Sequence, residues 1–146
     1  MLSSRILAVQ IRRAWSFGMR AVKEIRKRMR ALVAGATAWA DAEAIRRELV
    51  KLPSGTIVVH GDSPGADALA GQVAAQLGFV VESMAKGKQD YAKYKRGAWK
   101  GLNERMLASG VELVLVFHPA VDASRGSKHL VALAQAASVE VQVFAE

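Results

Sequence analysis

The chain has 146 residues and no cysteine, which excludes disulfide bonds and thiolate metal sites. Hydrophobic residues make up 51%, enough for the core of one domain, but no run of about 18 apolar residues predicts a membrane span. The formal net charge is +8. The three histidines lie far apart in the sequence, so we expect no metal site. We also expect no cofactor and a cytoplasmic protein.

The excess positive charge is concentrated at the start of the chain. Residues 1–30 hold nine Lys and Arg and one acid, whereas residues 31–146 hold twelve of each sign. The bulk of the chain therefore lacks the overall basic charge that is typical of nucleic-acid-binding domains.

The pattern of residues 1–28 predicts a basic amphipathic helix, because apolar residues recur there at steps of three and four between Arg and Lys. Such a helix packs on its own domain or on a second subunit, or contacts nucleic acid or a membrane surface through residues 5–28. An Arg-rich, acid-poor start also resembles an organellar transit peptide, and an upstream extension with Met19 or Met29 as the true start is a further reading. We expect a basic helical extension over 1–28, a domain over 29–146 and a homo-oligomer.

From residue 29 onward, short apolar runs alternate with helical patterns. We predict that a helix follows each of the first four strands and that Asp41 caps the first helix. The predicted strands are residues 31–35, 56–60, 79–83, 112–117 and 139–144. This order predicts an α/β fold, a Rossmann-like three-layer sandwich with a mostly parallel five-stranded sheet.

The sequence of residues 84–101 predicts a long basic connection, and we expect the next helix to start at residue 102. The connection carries six Lys and Arg and also Tyr91, Tyr94 and Trp99. Cations interleaved with aromatic rings suit phosphates and bases, so the connection could fold over the ligand edge of the sheet as a lid. The alternative is a solvated surface loop that Trp99 anchors to the core.

Three strand-to-helix junctions carry small and polar residues: GATAW (35–39), HGDSPGAD (60–67) and HPAVDASRGS (118–127). Ligands of open parallel sheets bind at the carboxyl ends of the strands, where these junctions lie. In the second junction we expect Ser63 to cap the following helix and the amides of residues 64–66 to attract an anion. Asp62 and Asp67 would accept hydrogen bonds from ribose hydroxyls or a base amine. Without a ligand, Asp67 would only stabilise its helix.

The third junction adds Arg125, which can contact phosphate in a bidentate manner, beside the amides of residues 126–127. Its alternative is a capped helix with one surface arginine. Neither junction is a Walker loop or a G-x-G-x-x-G motif. We expect His60 and His118, at strand ends, to be packed or hydrogen-bonded side chains rather than catalysts.

The motifs GATAWAD, VVHGDSPGADALA, LNERML, LVLVF and SRGS occur in this order over residues 29–146. Together they resemble the YspA-like family of the SLOG superfamily of Rossmann-like domains, which also includes DprA and the LOG phosphoribohydrolases. HGDSPGAD is similar to the family's Gly-Asp, spacer, Gly-Ala-Asp pattern. Asn103 and Met106 resemble its Asn-x-x-Met element, and Ser124, Arg125 and Gly126 its Ser-Arg-Gly element.

The resemblance implies a pocket for a nucleotide or nucleotide-derived, ADP-ribose-like ligand, in a sensor or sequestering module of phage or bacterial origin. One alternative is a hydrolase of N-glycosidic or phosphoester bonds, with Asp62 as the catalytic candidate. Another is an assembly protein with a degenerate site that forms oligomers through the N-terminal helix, because Gly35-Ala36-Thr37 replaces the family's Gly-Ser-Arg and Leu102 replaces an Arg. The candidate ligand-binding residues are Gly35, Ala36, Thr37, Gly61, Asp62, Gly65, Ala66, Asp67, Asn103, Ser124, Arg125, Gly126 and Ser127.

Overall fold

A computed structural model describes residues 28–146 of the chain. The amphipathic helix predicted for the first 28 residues therefore lies almost entirely outside the described residues. Within the described part, no helix is long and apolar enough to cross a membrane.

Five strands and five α-helices alternate along the described chain. The strands are Arg30–Gly35 (β1), Ile57–His60 (β2), Val80–Ser83 (β3), Leu113–Phe117 (β4) and Glu140–Phe144 (β5). The α-helices are Ala42–Leu49 (α1), Ala66–Gln76 (α2), Lys88–Tyr94 (α3), Ala98–Ala108 (α4) and Arg125–Ala136 (α5). Short 3₁₀ turns lie at Lys95–Gly97 and Val121–Ala123.

The strands form one parallel sheet in the order β3-β2-β1-β4-β5. Leu32 in the central strand lies opposite Val59 on one side and Val114 on the other. The α/β Rossmann-like fold predicted from the sequence is confirmed. The strand order reverses between β1 and β4, and ligands of doubly wound sheets bind at the carboxyl end of this switch point.

Helices cover both faces of the sheet and enclose two cores. One core joins β1, β2 and β4 to α1 and α2, and it contains Ile45, Leu49 and Phe117. The other joins the opposite face of the sheet to α4 and α5, and it contains Met106 and Leu130. All five residues of β4 are buried, as its unbroken apolar sequence predicts for a strand covered on both faces.

Residues 84–101 are folded, unlike the loop that the sequence predicts. They hold α3, a 3₁₀ turn and the start of α4, which begins at Ala98 rather than at residue 102. The reason is a tertiary contact: the carboxylate of Asp90, 2% exposed, pairs with Arg105 of α4 and accepts the amide hydrogen of Gly87 at 2.8 Å. Gly101 permits this approach, since a Cβ atom there would lie 2.3 Å from Asp90 Oδ1.

The start of α2 also differs from the prediction. Gly65, with φ of 77°, is the N-cap residue, so the prediction that Ser63 caps this helix is wrong. The amide of Ala66 donates to the carbonyl of Ala36 at 3.1 Å, which joins the β1 loop to α2. At α1, by contrast, the predicted cap is confirmed, because Asp41 accepts the amide hydrogen of Ala44.

We predict that Gly65→Ala lowers the free energy of unfolding by about 3 kcal/mol or more, measured by urea denaturation. A Cβ atom at Gly65 would lie 2.4 Å from the carbonyl oxygens of Ala36 and Thr37, in addition to the strain of a positive φ. Gly78→Ala is the matched control, because Gly78 has φ of 83° and open space around it. It should lose only about 1 kcal/mol. Equal losses of unfolding free energy in the two variants would show that the β1 loop leaves room for a Cβ atom at residue 65.

Candidate functional site

A cavity of about 710 Å³ opens at the carboxyl edge of the sheet, above the switch point between β1 and β4. We call it the main cavity. Its volume lies within the range of small-molecule sites, which is about 300–1,000 Å³. The end of β1, the β2–α2 junction, α3, α4, the end of β4 and the start of α5 all contribute to its wall.

Most of the residues that the sequence nominates line this cavity. They are Gly35, Ala36, Thr37, Asp62, Asp67, Asn103, Ser124, Arg125, Gly126 and Ser127. Gly61, Gly65 and Ala66 do not line it. Gly65 and Ala66 instead support the β1 loop from below, and Gly61 makes room for Asp67, because a Cβ atom at Gly61 would lie 2.7 Å from Asp67 Oδ2.

Gly35 sets the width of the opening between β1 and β4. It has φ of 155°, and a Cβ atom there would lie 2.0 Å from the carbonyl oxygen of Phe117 in β4. That carbonyl accepts the amide hydrogen of Ala36 at 2.9 Å. The two strands thus remain paired to their ends, and their loops separate immediately above, which leaves the crevice open.

Asp62 connects the second junction to the segment after β3. Its carboxylate accepts hydrogen bonds from the Lys86 ammonium at 2.7 Å and from the Lys86 amide at 3.0 Å. Partial burial opposes the charged form of Asp62, but these two bonds and the charge of Lys86 together lower the pKa of the carboxyl group below its ordinary value. Asp62 is therefore ionised at neutral pH and already paired.

Asp67 is the second acidic residue of the junction, and its environment is different. Its side chain lies in the first turn of α2, is only 8% exposed, and accepts the amide hydrogen of Ser63 at 3.2 Å. Burial raises the pKa of Asp67 to about 6, although the Ser63 amide and the nearby His60 act in the opposite direction. A buried carboxylate at the cavity wall with a pKa near neutral can both accept and donate hydrogen bonds there.

The start of α5 faces the cavity from the other side. Ser124 is the N-cap, and its hydroxyl accepts the amide hydrogen of Ser127 at 3.3 Å. The amide nitrogen of Asn103 in α4 donates to the carbonyl of Gly126 at 3.2 Å and contacts Nδ1 of His129 at 3.1 Å. Asn103 thus fixes the turn that carries Arg125. Burial lowers the pKa of His129 and so favours the neutral form of its ring.

Aromatic side chains and a further cation come from residues 86–100, which we call the arm. Tyr91 and Trp99 line the cavity, as do Lys86 and Arg96. Tyr91 is 51% exposed. Trp99 is held edge-on against the His129 ring, with ring centroids 5.3 Å apart. The arm is helical and forms part of the cavity wall, and its role as a lid stays a prediction.

The two histidines at strand ends are engaged within the protein. Nδ1 of His60 lies 2.8 Å from the carbonyl oxygen of Gly61, and the ring packs against Gly71, where a Cβ atom would lie 2.6 Å from Nε2. Nδ1 of His118 accepts the amide hydrogen of Ala120 at 2.9 Å. Among the residues that the structure describes, no group of three His, Asp or Glu side chains could hold a metal ion.

The sequence of this chain is similar to that of a phage protein. The chain is 30% identical over 125 residues to the Gene 61 protein of Mycobacterium phage D29, an alignment that covers 80% of this chain and 97% of the phage protein. The chain belongs to the family of this phage protein. No protein-family model matches this chain.

A solved structure shares the fold. DNA processing protein A (DprA) from Streptococcus pneumoniae superposes on 82% of this chain with a TM-score of 0.65 and 17% sequence identity. The superposition covers 51% of the DprA chain, so this chain spans about half the length of that protein. At this level of identity, the likeness shows a shared fold.

The environment of Asp67 predicts a pH dependence of stability. Its pKa of about 6 lies above the ordinary value of 3.8, so between these values the folded state binds more protons than the unfolded state. The contribution of Asp67 to stability therefore falls as pH rises from about 4 to about 6. We expect Asp67→Asn to be more stable than the wild type at pH 7, by on the order of 1–3 kcal/mol, and nearly equal to it at pH 4.

Chemical denaturation of both proteins across this pH range measures the difference. Asp62→Asn is the control with the opposite sign, because the pKa of Asp62 is lowered and its removal should destabilise the protein at neutral pH. A constant difference between wild type and Asp67→Asn from pH 4 to 7 would contradict the raised pKa.

Proposed function

We propose that the main cavity binds a nucleotide or nucleotide-derived ligand, such as ADP-ribose, and that the protein acts as a sensor or sequestering module. The observation that carries the proposal is the convergence of three kinds of group at the switch point. Arg125 in the first turn of α5 suits a phosphate, the buried carboxylate of Asp67 suits a sugar hydroxyl, and the rings of Tyr91 and Trp99 suit a base.

We place the phosphate at the start of α5, because the start of α2 is partly engaged within the protein and carries the acidic side chain of Asp67. The Ala66 amide at the start of α2 already donates to the Ala36 carbonyl, and Pro64 has no amide hydrogen. In the first turn of α5, the amides of Arg125 and Gly126 precede the first intrahelical bond, which Lys128 donates to Ser124. Phosphate bound there would meet these amides, the positive end of the helix dipole and the Arg125 guanidinium.

The sugar and the base are assigned to the opposite wall. Asp67 faces the cavity, while Asp62 is paired with Lys86. We therefore assign the principal contact with ribose hydroxyls to Asp67, with Asp62 as a neighbour that holds the arm in place. The base would stack on Tyr91 or Trp99, since an aromatic ring offers a large contact area with little loss of conformational entropy.

The relatives bear on the proposal in different ways. The structural neighbour is a DNA processing protein, which favours a role on nucleotides or nucleic acid. We propose, on the motifs alone, that the chain belongs to the YspA-like group of the SLOG superfamily. Binding to nucleic acid or membranes through residues 5–28, and oligomer formation through the same segment, stay predictions. A titration with single-stranded DNA at several salt concentrations tests the nucleic-acid alternative.

A hydrolase is the second candidate, and the raised pKa of Asp67 favours it, because a carboxyl group that titrates near pH 6 can serve as a general acid or base. The sequence alone favours Asp62 in the catalytic role, but the Lys86 ion pair holds that group ionised. Incubation with ADP-ribose, followed by chromatography, should then show products with the wild type and none with Asp67→Asn. Binding without products would leave the sensor role standing.

Arg125→Ala tests the phosphate assignment. We expect the affinity for ADP-ribose, measured by calorimetry, to fall about 10- to 100-fold, since a charge-assisted hydrogen bond contributes about 1.5–3 kcal/mol. Lys128→Ala is the matched control, because Lys128 is an exposed cation in the same helix that does not line the cavity. Its affinity should stay within about twofold of the wild type, a margin that excludes any phosphate contact of the size expected for Arg125.

Cyclic ADP-ribose isomers and mononucleotides complete the ligand panel. The absence of heat with every ligand at millimolar concentration would overturn the proposed function. An equal loss of affinity in Arg125→Ala and Lys128→Ala would show that the phosphate contact is a general charge effect and would overturn the assignment to α5.

A further inference from the structure

A second hollow of about 370 Å³ lies beside the main cavity at the same edge of the sheet. Its wall is mostly apolar: Ala36, Ala38, Trp39 and Ala40 come from the loop after β1, and Pro119 comes from the loop after β4. Its volume also lies in the range of small-molecule sites. We call it the Trp39 hollow.

The two spaces meet above the switch point. Ala36, Ala38 and Pro119 line both of them, and these residues carry no polar side-chain atom that could form a barrier. The main cavity borders Leu102 and Leu130, which belong to the core on the α4–α5 face. Trp39 packs against the core on the α1–α2 face. A ligand that crosses the carboxyl ends of β1 and β4 would therefore reach from one face of the sheet to the other.

Trp39 is held as a fixed aromatic wall. Its ring nitrogen donates to the carbonyl of Asp41 at 2.9 Å, and its ring lies 5.7 Å from that of Phe117. The side chain is only partly buried, so part of the ring faces the hollow. A preformed aromatic surface loses little conformational entropy when a second flat ring packs against it.

The charges at this hollow oppose phosphate. Asp41 and Glu146 are the two ionisable residues in its wall, and both are acidic. Lys86, Arg96 and Arg125 all border the main cavity instead. The hollow therefore suits an uncharged flat group, whereas the phosphates belong on the other side of the Ala36–Pro119 boundary.

From this arrangement we infer that the ligand carries two ring systems joined through phosphates: a dinucleotide with one base in the main cavity and the second base in the Trp39 hollow. This inference rests on the proposed nucleotide function and names the substrate class of the same site. It agrees with the general behaviour of doubly wound sheets, whose two halves hold the two parts of a dinucleotide across the point where the strand order reverses.

Three ligands that share one adenosine diphosphate test the inference by calorimetry. ADP lacks the second half, ADP-ribose adds a sugar, and diadenosine diphosphate adds the sugar and a second adenine. ADP-ribose and diadenosine diphosphate carry the same charge, so their difference isolates the second base. We expect diadenosine diphosphate to bind about tenfold more tightly than ADP-ribose, which corresponds to about 1.4 kcal/mol.

Ala40→Phe fills the hollow from an exposed position that lines this hollow and not the main cavity. We expect it to remove the tenfold advantage of diadenosine diphosphate and to leave the affinity for ADP-ribose unchanged. Ala132→Phe, an exposed position of α5 outside both spaces, is the matched control and should keep the advantage. As a second readout, diadenosine diphosphate should quench more tryptophan fluorescence than ADP-ribose does, and Trp39→Phe should abolish this difference.

Each outcome decides a different claim. Equal binding of diadenosine diphosphate and ADP-ribose by the wild type would overturn the inference while the nucleotide site stands. The inference is also overturned if Ala40→Phe keeps the full advantage of diadenosine diphosphate. If none of the three ligands binds, the proposed function itself fails, and the inference fails with it.

Discussion

The close contact between Gly35 and the carbonyl of Phe117 is the constraint on which the edge of the sheet depends. The two central strands stay hydrogen-bonded up to these residues, and no side chain could be placed between them. Directly beyond, the β1 loop turns toward α1 and the β4 loop turns toward α5. Because these two loops leave the sheet in opposite directions, the crevice between them is a consequence of strand order and not of any single loop.

A second contact joins the β1 loop to the start of α2. The carbonyls of Ala36 and Thr37 press on Gly65, and the Ala36 carbonyl takes the amide hydrogen of Ala66. One amide at the start of α2 is therefore engaged within the protein, and the side chain that the first turn of α2 contributes to the cavity wall is Asp67. Within the described residues, the side chains that the two helix starts place in the cavity wall differ in charge, since α2 contributes Asp67 and α5 contributes Arg125.

The fold and most of the cavity wall were predictable from the sequence because both follow from local patterns. Unbroken β-branched runs predict the buried strands, and parallel order places their carboxyl ends together. The arm was not predictable in this way. Its sequence is dense in Gly, Lys and Tyr, and its helices depend on the pairing of Asp90 with Arg105, fifteen residues away. The Ser63 cap failed for a similar reason, since the positive φ of Gly65 is set by its contact with the β1 loop.

The two aspartates of HGDSPGAD show why a motif alone could not assign roles. They are five residues apart in sequence, yet Lys86 lowers the pKa of one and burial raises the pKa of the other. Asp62 is thereby committed to the arm, which brings Tyr91 and Arg96 to the cavity wall, whereas Asp67 keeps a hydrogen-bonding carboxyl group at that wall. Carboxyl groups whose environments separate their pKa values are suited to separate tasks. On this basis we propose that Asp62 holds the arm in place and that Asp67 is the carboxyl group that meets a ligand.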